Sequence, residues 1–163
     1  MTRSRRLAQI TLAAGLLYSC TSAPPIDEEA EVLAALTTFL RAFENGDLDA
    51  MEASFSDDAS TFPRVVMSSE TVTPIDTADY RRVTGLDPGM RELIASWQDS
   101  PAGPPYMTLA PKDLEIRVFT DAALVSFHLE SGARLSRRTF VLGKEEGSWR
   151  IVHLHASNVV GSD

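Results

Sequence analysis

The sequence predicts an α+β domain, with helices first and an antiparallel meander of four strands after them. Two observations carry this. Apolar residues recur at helical spacing through "EEAEVLAALTTFLRAFENGD" and again in "DPGMRELIASW". From residue 113 onward the period changes to two, and the alternating runs are separated by short turns. At 163 residues the chain has the length of one domain. Its 44% hydrophobic and 23% charged residues are ordinary for a globular protein, which at this size buries a core without disulfides or metals.

The N-terminus stands apart from that domain. "MTRSRR" is basic, "LAQITLAAGLLY" is apolar and "SC" follows, the pattern of a secretory signal. The apolar run falls short of the roughly 20 residues that a membrane-spanning helix needs. Cys20, the chain's only cysteine, stands where the leader ends. "LYSC" resembles the lipobox of bacterial lipoproteins: Leu17, Ser19 and Cys20 fit, whereas Tyr18 stands where a small or β-branched residue is usual. Residues 1–19 are therefore expected to be a lipoprotein-type signal peptide, and residues 20–27 a tether from a lipidated Cys20. The alternative is ordinary cleavage near "TSA", which discards Cys20 and leaves a secreted or periplasmic protein. Thr21 after the cysteine, in place of aspartate, points to the outer membrane facing the periplasm if the host is Gram-negative.

The formal net charge is -8, and removing residues 1–19 takes three of 15 basic residues and none of 23 acidic ones, leaving -11. That charge argues against nucleic-acid binding. It also gives anionic headgroups nothing to attract, so membrane attachment is expected only through the N-terminal lipid. With no second cysteine, the exported chain has no internal disulfide, and its stability must come from its core.

The domain itself is expected over residues 28–158, with 159–163 as a tail. In the first helix Val32, Leu33, Leu36, Phe39, Leu40 and Phe43 form one stripe, Asp27, Glu28, Glu29 and Glu31 crowd the first turn, and Asn45-Gly46 stops it. "DLDAMEASF" starts a short helix with Leu48, Met51 and Phe55 on one face. "DDASTFPRVVM" reads as a strand, and "SSETVTPIDTADYRRVTG" as a long polar connection with room for a second short strand. Asp87 caps the next helix, Pro88 suits its first position, and Met90, Leu93, Ile94 and Trp97 make its stripe. The meander follows: Leu114, Ile116 and Val118 on one face; Ala123, Val125, Phe127 and Leu129 on one face of the next strand; then "ARLSRRTFVLG" and "SWRIVHLHASN", joined by "KEEG".

This order, over roughly residues 28–158, resembles the nuclear-transport-factor-2-like, or SnoaL-like, superfamily. "FLRAFENGDLDAMEASFSDDA" looks like its opening helices and "DPGMRELIASW" like its third. "RRTFVLGKEEGSWRIVHLHAS" is similar to its terminal hairpin, above all in the branch of the calmodulin-dependent kinase II association domain. The resemblance implies a cone, with a strongly curved antiparallel sheet wrapped around the helices and an internal cavity. It also implies a homodimer formed through the sheet. Some members are isomerases, dehydratases or cyclases, and others only bind ligands or assemble scaffolds, so the fold leaves the function open.

His153 and His155 are the residues that invite chemistry. Two apart on a strand, they share a side, with Ile151 and Ser157 expected on that side and Val152, Leu154 and Ala156 on the other. One reading makes either imidazole a general base; the other, ranked first, has both fill or hydrogen-bond an interface. A zinc site needs a third ligand. His128, the only other histidine, is two strands away at about 10 Å, so no metal or cofactor is expected. Arg134, Arg137 and Arg138 lie on the strand paired with the histidine strand. An arginine inside a cone would hold a small carboxylate or carbonyl-bearing ligand by paired hydrogen bonds; a solvated strand face is the plainer reading. Asp79, Tyr80, Arg81 and Arg82 fall in the long connection, near a cavity mouth or simply at a polar loop tip. The chain has no glycine-rich phosphate loop, nucleophile elbow or basic-aromatic patch. The expectation is an exported, lipid-anchored, dimeric binding or scaffold module. The alternative is a small-molecule isomerase, cyclase or dehydratase using His153 or His155.

Overall fold

The structure, a computed structural model of the chain, describes residues 27–62, 82–132 and 134–160. The expected leader, Cys20, the strand past Phe62 and the Asp79–Arg81 stretch lie outside the described residues. The elements are α1 (Glu28–Asn45), α2 (Leu48–Ala53), β1 (Phe55–Thr61), β2 (Val83–Thr84), α3 (Pro88–Trp97), β3 (Lys112–Val118), β4 (Ala122–Ser131), β5 (Arg134–Glu145) and β6 (Ser148–Val160). All six strands form one curved, unclosed sheet in the order β2-β1-β6-β5-β4-β3. The meander is as expected. The first long strand is not antiparallel throughout: β1 lies parallel to β6 and antiparallel to β2.

Local chemistry sets the helix ends. The Asp27 carboxylate accepts the Ala30 N–H at 3.2 Å, which satisfies one of α1's free donors. Gly46 closes α1 in the left-handed region at φ 66°, and its N–H donates to Phe43 O at 3.1 Å. A Cβ there would approach the Tyr106 ring to 2.9 Å, so glycine is required both by conformation and by space. Asp47 and Asp87 cap α2 and α3 in the same way, through Ala50 and Met90. Phe55, expected on a helical face, instead begins β1. Ser54 O accepts the Ile151 N–H at 2.9 Å, and Phe55 then pairs with Ile151, so the sheet captures the chain as soon as α2 ends.

The core lies between α1 and the concave side of the sheet. Val32, Leu36, Phe39 and Ala42 of α1 meet Phe55, Ala123, Val125, Phe127, Phe140, Leu142 and Ile151. Phe39 packs edge-on against Phe55 and Phe140, with centroids 5.7 and 5.5 Å apart, and Phe140 stacks on Phe127 at 5.7 Å. At the other end of α1, Trp97 packs edge-on against Phe43, and the Gln98 amide donates to Gly46 O at 2.8 Å.

Three local expectations are corrected. Leu114 is 39% exposed and does not join Ile116 and Val118, because the ladder slips between Lys112 and Glu115 and Asp113 takes φ 51°. The "KEEG" connection is tighter than expected. β5 runs through Glu145, and only Glu146 and Gly147, at φ 48° and 82°, make the turn, the pair of positive φ values that suits strand twist. In β6 the pairing passes from Ile151 opposite Leu142 to His153 opposite Val141, leaving Val152 as an extra residue. This bulge puts Ile151 in the core at 2% exposure, with His153 on the opposite face. Ile151 and His153 therefore do not share a side.

Candidate functional site

The β6 bulge decides where the histidines stand. Beyond it, Leu154 packs toward the core while His153 and His155 face outward, away from α1. His153 Nδ1 lies 3.0 Å from the Ser60 hydroxyl of β1. The Phe62 ring, 50% exposed, meets both imidazoles edge-on, at 5.9 Å from His153 and 6.1 Å from His155. Cross-strand pairing extends this group across the outer face. One row runs Leu124–Val141–His153–Ser60, and the next runs Ser126–Thr139–His155. No described element covers these rows.

The carboxylate-paired imidazole is a different one. His128, one row further along, has Nδ1 3.3 Å from Asp113 and Nε2 3.2 Å from Glu130. Lys112 also bonds Glu130, and that hydrogen bond, with His128 adding to it, holds the Glu130 carboxyl below the ordinary range. These groups form a polar rim on the sheet edge. Among the described residues no group of three or more His, Cys, Asp or Glu side chains is placed to hold a metal.

The arginines separate. Arg137 pairs with His128 and Ser157 on the outer face and is exposed. Arg138, half-buried, sits in the next row between Phe127 and Ala156 on the concave side. Arg134 lies at the start of β5, opposite Ser131 and Val160. Two hollows open elsewhere. A cleft of about 260 Å³ between α1 and the β5–β6 hairpin is lined by Thr38, Leu142, Trp149 and Ile151. A polar hollow of about 590 Å³ is lined by Asp57, Asp58, Glu145, Glu146 and Arg150. Neither includes a histidine or any of the three arginines.

Two constellations escaped the sequence reading. Ser60 and Phe62 are two apart at the end of β1, and only the parallel pairing with β6 brings them to the histidines. The second is a clamp at the start of α1. Lys144 Nζ bonds Glu28 at 2.8 Å, lies 3.7 Å from Glu31 and sits 5.3 Å above the Trp149 ring, whose Nε1 donates to Glu31 at 3.3 Å. The hydrogen bond to Glu28 raises the Lys144 pKa above the ordinary lysine value against the opposing effect of burial. The sign follows from linkage. A raised folded-state value means the contribution is complete below the unfolded lysine pKa of about 10.4 and is lost as pH rises through the folded value. The stability gap between wild type and Lys144→Met is therefore expected to stay constant from neutral pH to that point and to shrink above it. Urea midpoints at pH 7, 9 and 11 check this. An undiminished gap at pH 11 would rule out the charged lysine as its source.

The fold and these faces define a class, a cone-type α+β domain whose curved sheet is packed on its concave side by N-terminal helices. The chain belongs to the SnoaL-like domain family, whose model matches residues 32–161. It is similar to an NTF2-like protein of unknown function from Shewanella baltica OS155, at 19% identity and a TM-score of 0.57, covering 86% of this chain and 100% of that one. It is also similar to the CamKII hub homology domain of Chlamydomonas reinhardtii, at 22% identity and 0.56, covering 82% and 99%. A third likeness is to a cystatin-like fold protein from Burkholderia xenovorans LB400, at 21% identity and 0.55, covering 85% and 96%. At these identities the likeness concerns the fold. No curated protein matches the sequence.

Proposed function

We propose that the protein is an exported, lipid-anchored SnoaL-like module that pairs with a second copy through its outer sheet face and serves as a scaffold or small-molecule binder. One observation supports the pairing, and the leader with Cys20 supports the anchor. Leu124, Val141, Phe62, His153 and His155 occupy an outer face that no described element covers, while Phe39, Phe55, Phe127 and Phe140 fill the concave side. A sheet face that mixes half-buried aliphatics, hydroxyls and imidazoles has the composition of a non-obligate interface. The isomerase, cyclase or dehydratase reading would need its ligand on that outer face, beside imidazoles whose described partners are a serine and a phenylalanine. Arg138 supports a small carboxylate or carbonyl-bearing ligand at the open end of the concave side, since its neighbour Ala156 is exposed.

Light scattering on residues 24–163, which lack Cys20, tests the pairing, and twice the monomer mass at micromolar concentration is the expected result. A strict monomer at high micromolar concentration removes the scaffold reading. The anchor is tested by metabolic labelling with a palmitate analogue, wild type against Cys20→Ala. Equal label in both would end the lipoprotein reading.

A further inference from the structure

Lys144 gathers one end of the domain. Besides the Glu28 and Glu31 carboxylates of α1, it reaches the β3–β4 turn, where its backbone N–H donates to Asp121 O at 3.0 Å. The start of α1, the β3–β4 turn and the β5–β6 turn therefore lie together. The β4–β5 turn at Ser131–Gly132 lies at the far end of the same strands. Phe119, at the β3–β4 turn, is 58% exposed, more than any other large apolar side chain of the described residues. Its turn is closed by its own N–H donating to Ala122 O at 2.7 Å, so the backbone that carries the ring is fixed. Leu33, in the second turn of α1, is 42% exposed near the same end.

Chain length adds the second constraint. Asp27, where the described domain begins, is seven residues from Cys20. Seven residues reach at most about 25 Å when fully extended. The 13 residues of β6 span roughly 40 Å. A lipid at Cys20 thus holds the Lys144 end within reach of the bilayer, while the far end can stand well clear of it.

We propose that this end faces the membrane and that Phe119 enters the bilayer interface as a second contact beside the lipid. The inference rests on the lipid-anchor reading. Phe, like Trp and Leu, beds its apolar side chain into the boundary between headgroups and acyl chains. One ring alone holds a protein only marginally, and the tether makes the contact count by keeping its effective concentration high. The same end carries Glu28, Glu31 and Asp121 around Lys144, and Asp57, Asp58, Glu145 and Glu146 around Arg150, so the contact favours zwitterionic lipid and is weakened by anionic lipid.

The test supplies the anchor chemically, which separates it from acylation in the cell. Residues 20–163 retain every described element. They are coupled through Cys20 to a maleimide lipid in phosphatidylcholine vesicles with brominated acyl chains. A reporter tryptophan is placed at the near end (Phe119→Trp) or at the far turn (Ser131→Trp), and its emission is read against the wild-type signal of Trp97 and Trp149. The added emission of the Phe119→Trp variant is expected to be quenched on vesicle coupling, with that of the Ser131→Trp variant unchanged. Replacing part of the lipid with phosphatidylglycerol at low salt should relieve the quenching of the near-end reporter. Quenching at the near end no greater than at the far turn overturns the proposal, whatever the palmitate-labelling result. If Cys20→Ala keeps its label in cells while the near-end reporter is still quenched here, the anchor reading fails and the geometry of this end stands.

Discussion

Phe140→Ala is expected to destabilise the domain by about 3–5 kcal/mol, the usual cost of truncating a buried aromatic. Phe140 is 1% exposed and touches both layers of the core: Phe39 of α1 lies edge-on to it at 5.5 Å, and Phe127 of β4 stacks on it at 5.7 Å. Removing the ring leaves two aromatic partners without a face and a cavity that the curved sheet cannot close by collapse. Phe140→Leu keeps most of the volume and should cost markedly less. Denaturant titration of the three proteins measures both numbers. A loss for Phe140→Ala no larger than that of a surface substitution would mean that α1 is not held on this face of the sheet.

The second large effect is expected on association. Val141 follows Phe140 and faces the other way, between Leu124 and His153 at the middle of the outer face. Val141→Arg places a charge where the proposed partner copy would desolvate it, and a mismatch of this kind costs about 3 kcal/mol or more, a hundred-fold or greater loss of dimer affinity. Melting of the single chain should barely move, because Val141 is outside the core cluster. His155→Ala, exposed in the single chain, should weaken association less and leave the monomer's stability unchanged. Sedimentation at several concentrations separates the cases. Unaltered association in Val141→Arg would move the interface off this face. Variants that stay folded and dimeric yet lose turnover of a carbonyl-bearing compound would restore the catalytic reading of the histidines.

What could be read in advance was local. From the sequence, Asp87 is expected to cap α3 and Asn45-Gly46 to stop α1, and both do; Asp27 and Asp47 cap α1 and α2 by the same local need of orphan N–H groups for an acceptor. The alternation of Ala123, Val125 and Phe127 reports one buried face, and the structure buries all three. The misses were long-range or involved a count of one. Nothing in "WRIVHLH" marks Val152 as an extra residue: no glycine or proline stands there, and a β-branched residue suits any strand. Yet that single slip decides which face the histidines occupy. The Ser60–His153–Phe62 group was equally invisible, since it exists only because β1 docks in parallel against β6, a pairing that alternation cannot announce. Arg137 and Arg138, adjacent in sequence, could have been assigned to opposite faces by parity alone; which of the two faces the helices depended on the core.

The place of β1 beside β6 also has a consequence for the order of assembly. Ser60 and His153 are 93 residues apart, and β6, which joins β1 to the meander, is the last of the described elements. A chain that emerges N-terminus first can form α1 and the β3–β4 hairpin early, but β1 has no long partner until β6 is free. Closing so long a loop makes this step slow compared with local hairpin formation. The sheet is therefore completed only once β6 is available, and until then the described sheet neighbour of β1 is the two-residue β2 alone.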